Sequence, residues 1–185
     1  MRWGLIPVWG KESSGAAKMI NARLETASTQ AAFRDAMKFR RCLVPADGFY
    51  EWQKKGLAKQ PFCFEVNEGK LFAFAGLWDR WKNPKDGKWM GTCAILTTTP
   101  NEVTLGIHDR MPVILDPSDY DLWLDPGFTD ANAASDLLRP FDSRHMRRYP
   151  VSNKVNHVDN DDESCSAPID LSADSPAKGR QGELF

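Results

Sequence analysis

No apolar run in this 185-residue chain approaches the roughly 20 residues that a membrane-spanning helix requires. The N-terminus, Met1-Arg2-Trp3-Gly4, lacks the pattern of a secretory signal. Cysteine is sparse. Cys42, Cys63, Cys93 and Cys165 are scattered without C-x-x-C spacing, so no zinc site is legible and no metal is expected. P-loop, H-E-x-x-H, H-x-E and G-x-S-x-G patterns are all missing, and nothing points to a cofactor. Neither sign of charge dominates, with 24 bases against 25 acids. Internal repeats and low-complexity tracts are also missing.

What is present suffices for one soluble domain. Hydrophobic residues make up 42% and charged residues 26%, and seven Trp with ten Phe are ample material for a core. A disordered or fibrous chain is excluded. The charge is uneven: residues 157–185 carry a net −5, which leaves +4 on residues 1–156. A modestly basic body permits a nucleic-acid partner, although surplus lysines on solvated faces look the same. From Val158 onward the chain is rich in Asp, Ser, Pro and Gly, with few apolar residues to offset ordering entropy. The expected organisation is therefore a domain over residues 1–157 and an acidic, disordered tail over 158–185. Cys42, Cys63 and Cys93 sit inside apolar runs and read as small buried hydrophobes, reduced and cytoplasmic.

Thr29–Phe39 reads as an amphipathic helix capped by Thr29, with Ala32, Phe33, Ala36 and Met37 at helical spacing. The period then changes to two. Strands are expected at Arg41–Pro45, Gly48–Gln53, Phe62–Val66, Leu71–Trp78, Met90–Thr97, Met111–Leu115 and Arg144–Val151. Asn67-Glu68-Gly69 reads as a hairpin turn, and the short connections suggest an antiparallel meander. Short helices are expected in Pro100–Gly106, Pro117–Leu124 and Asp130–Leu138. The fold class is α+β.

Three clusters carry chemistry. In Ile20-Asn21-Ala22-Arg23-Leu24-Glu25-Thr26, Asn21 and Arg23 share parity and place an amide and a guanidinium on one face. An amide orients a reacting group and a guanidinium grips a phosphate; equally, these are a loop Asn and a surface Arg. In Pro45-Ala46-Asp47-Gly48-Phe49-Tyr50-Glu51-Trp52, Glu51 lies within an aromatic strand, where burial would tune it for proton transfer. Its alternative is a solvent-face Glu. In Ile107-His108-Asp109-Arg110-Met111-Pro112, His108 suits a general acid–base, or is merely an exposed His.

With Arg2-Trp3-Gly4-Leu5-Ile6-Pro7-Val8-Trp9, Ile95-Leu96-Thr97-Thr98 and Tyr149-Pro150-Val151-Ser152, these clusters resemble the SOS response-associated peptidase (SRAP) family across residues 2–157. Six such stretches in the family's order are strongly specific. The resemblance implies a curved, barrel-like antiparallel sheet flanked by short helices. It implies a monomeric cytoplasmic protein, nucleoid-associated when bound to single-stranded or junction DNA, that couples covalently to an abasic site. An N-terminal cysteine, exposed by autocatalytic removal of the initiator Met, forms a thiazolidine with the ring-opened sugar. By position, Asn21 would orient the linkage, Glu51 would move protons in methionine removal and linkage chemistry, and His108 would promote ring opening. Arg23 and Arg110 would hold phosphates, and Trp3, Trp9 and Trp52 would stack on bases; all three are also readable as core, which is the favoured reading for Trp3.

One departure matters. Members of the family begin Met-Cys-Gly-Arg, and here the Trp-Gly motif starts at Trp3. The expectation is an N-terminally truncated fragment or gene model, inactive in cross-linking on its own. Two alternatives stay open: a remnant that binds single-stranded DNA without a covalent bond, and a small hydrolase using Glu51 and His108.

Overall fold

The computed structural model describes residues 1–11 and 15–171. Its strands are β1 (Arg2–Trp3), β2 (Asn21–Arg23), β3 (Arg41–Ala46), β4 (Phe49–Lys55), β5 (Ala58–Val66), β6 (Phe72–Lys82), β7 (Trp89–Thr98), β8 (Met111–Pro112) and β9 (Met146–Pro150). Four short helices accompany them: α1 (Leu24–Ala27), α2 (Arg34–Phe39), α3 (Tyr120–Leu124) and α4 (Ala131–Asp136). The class is α+β.

Side chains on a strand alternate between faces, and both faces of β6 and β7 are used. Ala75 and Leu77 on β6, with Ala94 and Leu96 on β7, point to one side. There they bury Ala27, Phe33, Ala36, Met37, Trp123 and Leu138 from the helical segments. Phe72, Phe74 and Ile95 point to the other side and meet Phe64, Val66 and Phe49 of a second sheet. Phe49 stacks on Phe64 with centroids 4.9 Å apart and meets Phe74 edge-on at 5.8 Å, closing the inter-sheet core.

The strands form two sheets, not one meander and not a closed barrel. The first has six strands in the order β1-β7-β6-β3, with β2 and β8 also on β7; the second runs β4-β5-β9. β3 pairs with β6, not with its neighbour β4, so the chain crosses between sheets after Ala46. It crosses back at Asn67-Glu68-Gly69, where all three residues have positive φ. That turn was expected to close a hairpin. Instead it switches sheets, because β3 already occupies the hydrogen-bonding edge of β6 and β9 that of β5. Nor is the pairing wholly antiparallel, since β1 and β2 both run parallel to β7.

The helix expected over Thr29–Phe39 is confined to α2, and Pro100–Gly106 forms turns without a helix. Phe33, Ala36 and Met37 are nevertheless buried, so the apolar spacing recorded burial, not helical continuity. Arg41 fastens the helices to the sheet. Its guanidinium is buried and donates to the carbonyls of Met37, Lys38, Trp123 and Asp125. Residues 158–171, expected to be disordered, are ordered in part. A 3-10 turn at Glu163–Cys165 buries Cys165, and Pro168 bridges to Val151. The rest of that tail, residues 172–185, lies outside the described residues.

Candidate active site

Where the second sheet stops short of β7, a cleft of about 710 Å³ opens between the sheets. Its floor is the row of side chains on one face of the first sheet: Cys42 and Val44 on β3, Phe74 on β6, and Cys93, Ile95 and Thr97 on β7. Gly76 lies in register between Cys42 and Ile95, so the floor has no side chain there. One wall is Gly48 and the start of β4, Phe49 to Trp52. Met1, Trp3 and Asn21 line the opposite side. Neither floor thiol is poised as a nucleophile. Burial pushes Cys42 up to about 12 and also raises Cys93, against a smaller pull downward from the terminal ammonium.

Asn21 reaches the cleft because β2 pairs in parallel with β7, setting Asn21 against Ile95 and Arg23 against Thr97. Glu51 reaches it from β4, between Tyr50 and Trp52. Burial raises the Glu51 carboxyl above the usual range, and the charge of His108 acts in the opposite direction, with a smaller push upward from Asp109. His108 itself is not among the residues lining the cleft; it acts on Glu51 through its charge. The loop carrying His108 is tied to the Glu51 strand, since Gln53 donates from Nε2 to the Gly106 carbonyl at 3.0 Å. The Nδ1 atom of His108 is engaged within that loop, with the Arg110 N–H at 3.1 Å and Asp109 Oδ1 at 3.2 Å. Its Nε2 has no hydrogen-bond partner among the described residues.

Arg23 and Arg110 fare differently. Arg23 is exposed at the end of β2 and is ion-paired to no carboxylate among the described residues. The guanidinium of Arg110 is occupied. It donates from both terminal nitrogens to Glu25, at 2.8 and 2.9 Å, and also to the Thr97 carbonyl, while its Nε is buried without a partner. In the free protein Arg110 therefore clamps α1, β7 and the His108 loop together. The pairing of Glu25 spans 85 residues, a separation that leaves no trace in sequence spacing.

The tryptophans also separate. Trp3 is 55% exposed with Nε1 donating to the Ile20 carbonyl at 2.7 Å, so it is not a core residue. Trp52 lines the cleft, half-buried, its Nε1 donating to Asn156 Oδ1 at 2.7 Å. Trp9 is exposed but is not among the residues lining the cleft. Its segment is fastened to Asp79 and to Trp81, whose side chains lie on the opposite face of β6. Among the described residues, no three or more His, Cys, Asp or Glu side chains lie together as metal ligands would.

Comparison with known proteins identifies the family. The family model of the SOS response associated peptidase (SRAP) matches residues 1–158. The abasic site processing protein YoqW of Bacillus subtilis is 45% identical over 161 residues, which cover 86% of this chain and 71% of that protein. The abasic site processing protein HMCES of Gallus gallus is 35% identical over 201 residues, covering 96% of this chain and 59% of its own length. A crystal structure of a protein from Bacteroides thetaiotaomicron superimposes with a TM-score of 0.82 at 32% identity, over 90% of this chain and 75% of the other. By family model, relatives and fold alike, the chain belongs to the SOS response associated peptidase family.

Proposed function

We propose that this protein processes abasic sites in single-stranded or junction DNA, with Asn21, Glu51 and His108 as its catalytic residues. The observations that support the reading are that Asn21 from the first sheet and Glu51 from the second line one cleft, and that the His108 loop is hydrogen-bonded to the Glu51 strand, with the charge of His108 acting on the Glu51 carboxyl. An abasic sugar exposes an aldehyde when its ring opens. That opening requires a proton to be taken from the C1 hydroxyl and one given to the ring oxygen, work suited to His108 together with the Glu51 carboxyl, whose pKa burial raises. The Asn21 amide can both donate to and accept from the ring-opened sugar, fixing the carbonyl. Arg23 holds a flanking phosphate, a contact that positions the strand without reading its sequence. Trp3 and Trp52 bound the base-sized space beside it.

Covalent capture uses the α-amine of an N-terminal cysteine. The amine adds to the aldehyde, water leaves to give a Schiff base, and the thiol adds to the same carbon to close a thiazolidine. Cys42, Cys63, Cys93 and Cys165 cannot do this, since amine and thiol must belong to one residue. The 185 residues alone are therefore expected to bind abasic DNA without a heat-stable adduct. In the working protein, residues 1–157 act as a monomeric domain in the cytoplasm, and the acidic stretch from 158 competes with DNA.

The test is incubation with abasic single-stranded DNA, followed by heating. A heat-stable adduct is expected from a form that begins with cysteine, and salt-sensitive binding from the 185-residue chain. No affinity at any salt sinks the proposal and leaves a hydrolase acting through Glu51 and His108.

A further inference from the structure

The floor of the cleft does not end at Cys93. The β6–β7 pairing is unbroken from Gly76↔Ile95 to Lys82↔Trp89, so alternation carries the same face outward along both strands. On β7 it continues through Gly91 to Trp89, and on β6 through Trp78 and Arg80 to Lys82. From Cys93 to Trp89 this adds roughly 14 Å of sheet beyond the cleft at about 3.4 Å per residue. The second sheet does not cover this end. Trp89 is 55% exposed, and Arg80 and Lys82 are exposed too. The opposite face of the same hairpin stays packed, with Trp81 buried against Ile6 and Ala16. The platform is thus rigidly backed and open on one side only.

Its chemistry is aromatic and cationic. The Arg80 guanidinium lies over the Trp89 ring at 5.1 Å from its centroid, and the Lys82 ammonium at 6.0 Å. Neither cation is paired with a carboxylate among the described residues. Residues 80–89 hold Arg80, Lys82, Lys85 and Lys88 against the single acid Asp86. Gly91 leaves bare backbone beside Trp89, with Met1 as the nearest side chain to where a Cβ would stand.

We propose that the exposed face of the β6–β7 hairpin is a second binding site, taking the single-stranded DNA that runs out of the cleft on one side of the abasic sugar. A base stacks on Trp89, and Arg80 and Lys82 leave the indole to hold the flanking phosphates. Exposed cation–π contacts are weak enough for a phosphate to displace them. Stacking on an aromatic face tolerates every base, and so does a point-charge contact to phosphate, so the site extends the footprint without adding sequence preference. The proposal rests on the abasic-site reading of the cleft, because the cleft supplies the anchored strand.

The probe is single-stranded DNA carrying a tetrahydrofuran abasic analogue, with its long flank on the 5′ side, on the 3′ side, or on neither. Binding to the 185-residue chain is read by fluorescence anisotropy. Trp89→Ala is expected to weaken binding by about fivefold or more, for one long-flanked probe only. The double variant R80Q/K82Q is expected to flatten the salt slope for that same probe by about 1.4, or 0.7 per phosphate released. Wild-type affinity in both variants for every probe overturns the site. So does an equal loss on the short probe, which would mean that the fold was disturbed. A W89A variant that changes the sedimentation of DNA-free protein with DNA affinity intact assigns the face to self-association and also overturns it. No binding of any probe by the unaltered chain removes the abasic-site reading itself, a result separable from all of these.

Discussion

Arg110 holds Glu25 through two parallel hydrogen bonds, 2.8 and 2.9 Å long, joining the helix that directly follows the Asn21 strand to the loop that carries His108. This bidentate geometry is the one a guanidinium uses for phosphate, and here a carboxylate occupies it. Arg110 and Arg23 should therefore behave differently. Arg23→Gln is expected to lower the salt slope of DNA binding by about 0.7 with little change in stability. Arg110→Gln should leave the slope nearly unchanged and cost about 1–3 kcal/mol by stranding Glu25 and the Thr97 carbonyl. Urea melts and binding titrations at several salt concentrations measure both. The arginine beside Glu25 holds that carboxyl below its usual range. The pair's contribution is thus present above the ordinary carboxylate pKa and is lost as pH falls through the lowered one.

Glu51 should show the opposite pH signature. Its carboxyl is raised by burial, so folding favours the protonated form. That contribution is complete below the unfolded pKa near 4.5 and is lost as pH rises through the folded one. Glu51→Gln is expected to raise Tm at pH 7 but not at pH 4. It should slow adduct formation, in a form bearing the N-terminal cysteine, by about 10²-fold or more. A Tm gain of equal size at both pH values would contradict the burial of the acid.

Gly76 keeps the cleft floor flat. A Cβ there would stand 2.8 Å from Cys42 Sγ and 2.9 Å from Val44 Cγ2. Gly76→Ala is expected to cost about 1–3 kcal/mol through overpacking, read as a shift in the urea midpoint. The mutant should also bind abasic DNA less well than its residual stability alone would allow, since the displaced side chains intrude on the cleft.

Arg41 tests the architecture, remote from the chemistry. Its guanidinium satisfies four carbonyls from two helical segments, and its pKa is depressed by burial. Arg41→Lys retains a positive charge but cannot span the four acceptors. A loss of about 3 kcal/mol is expected in thermal or urea unfolding, larger than for any exposed arginine variant.

The strands were legible in the sequence because a period of two survives wherever one face is buried, as in Phe62, Phe64 and Val66. Pairing was not legible. Asn67-Glu68-Gly69 has hairpin chemistry, yet it connects two sheets, because strand partners depend on which edges are already occupied. Residues 29–33 read as helix since their apolar spacing fits a helical face, but turns deliver Phe33 to the same core. The candidate site was visible as Asn21, Glu51 and His108, each in a local pattern that suited its chemistry. Trp3 read more readily as core than Trp9, yet Trp3 lines the cleft, and the fastening of the Trp9 segment to Asp79 and Trp81 sets Trp9 apart from it.

By itself, the sequence determined the fold class, the positions of the longer strands, the family and the residue types available for acid–base work, since these follow from local periodicity and short motifs; the short β1 and β2 exist only through their pairing with β7. Tertiary structure alone decided that Glu51 is raised by burial, that Arg110 is spent on Glu25, and that Trp89 shares a face with the cleft. Each of these depends on distances between segments far apart in the chain, and such distances are set by sheet register and packing.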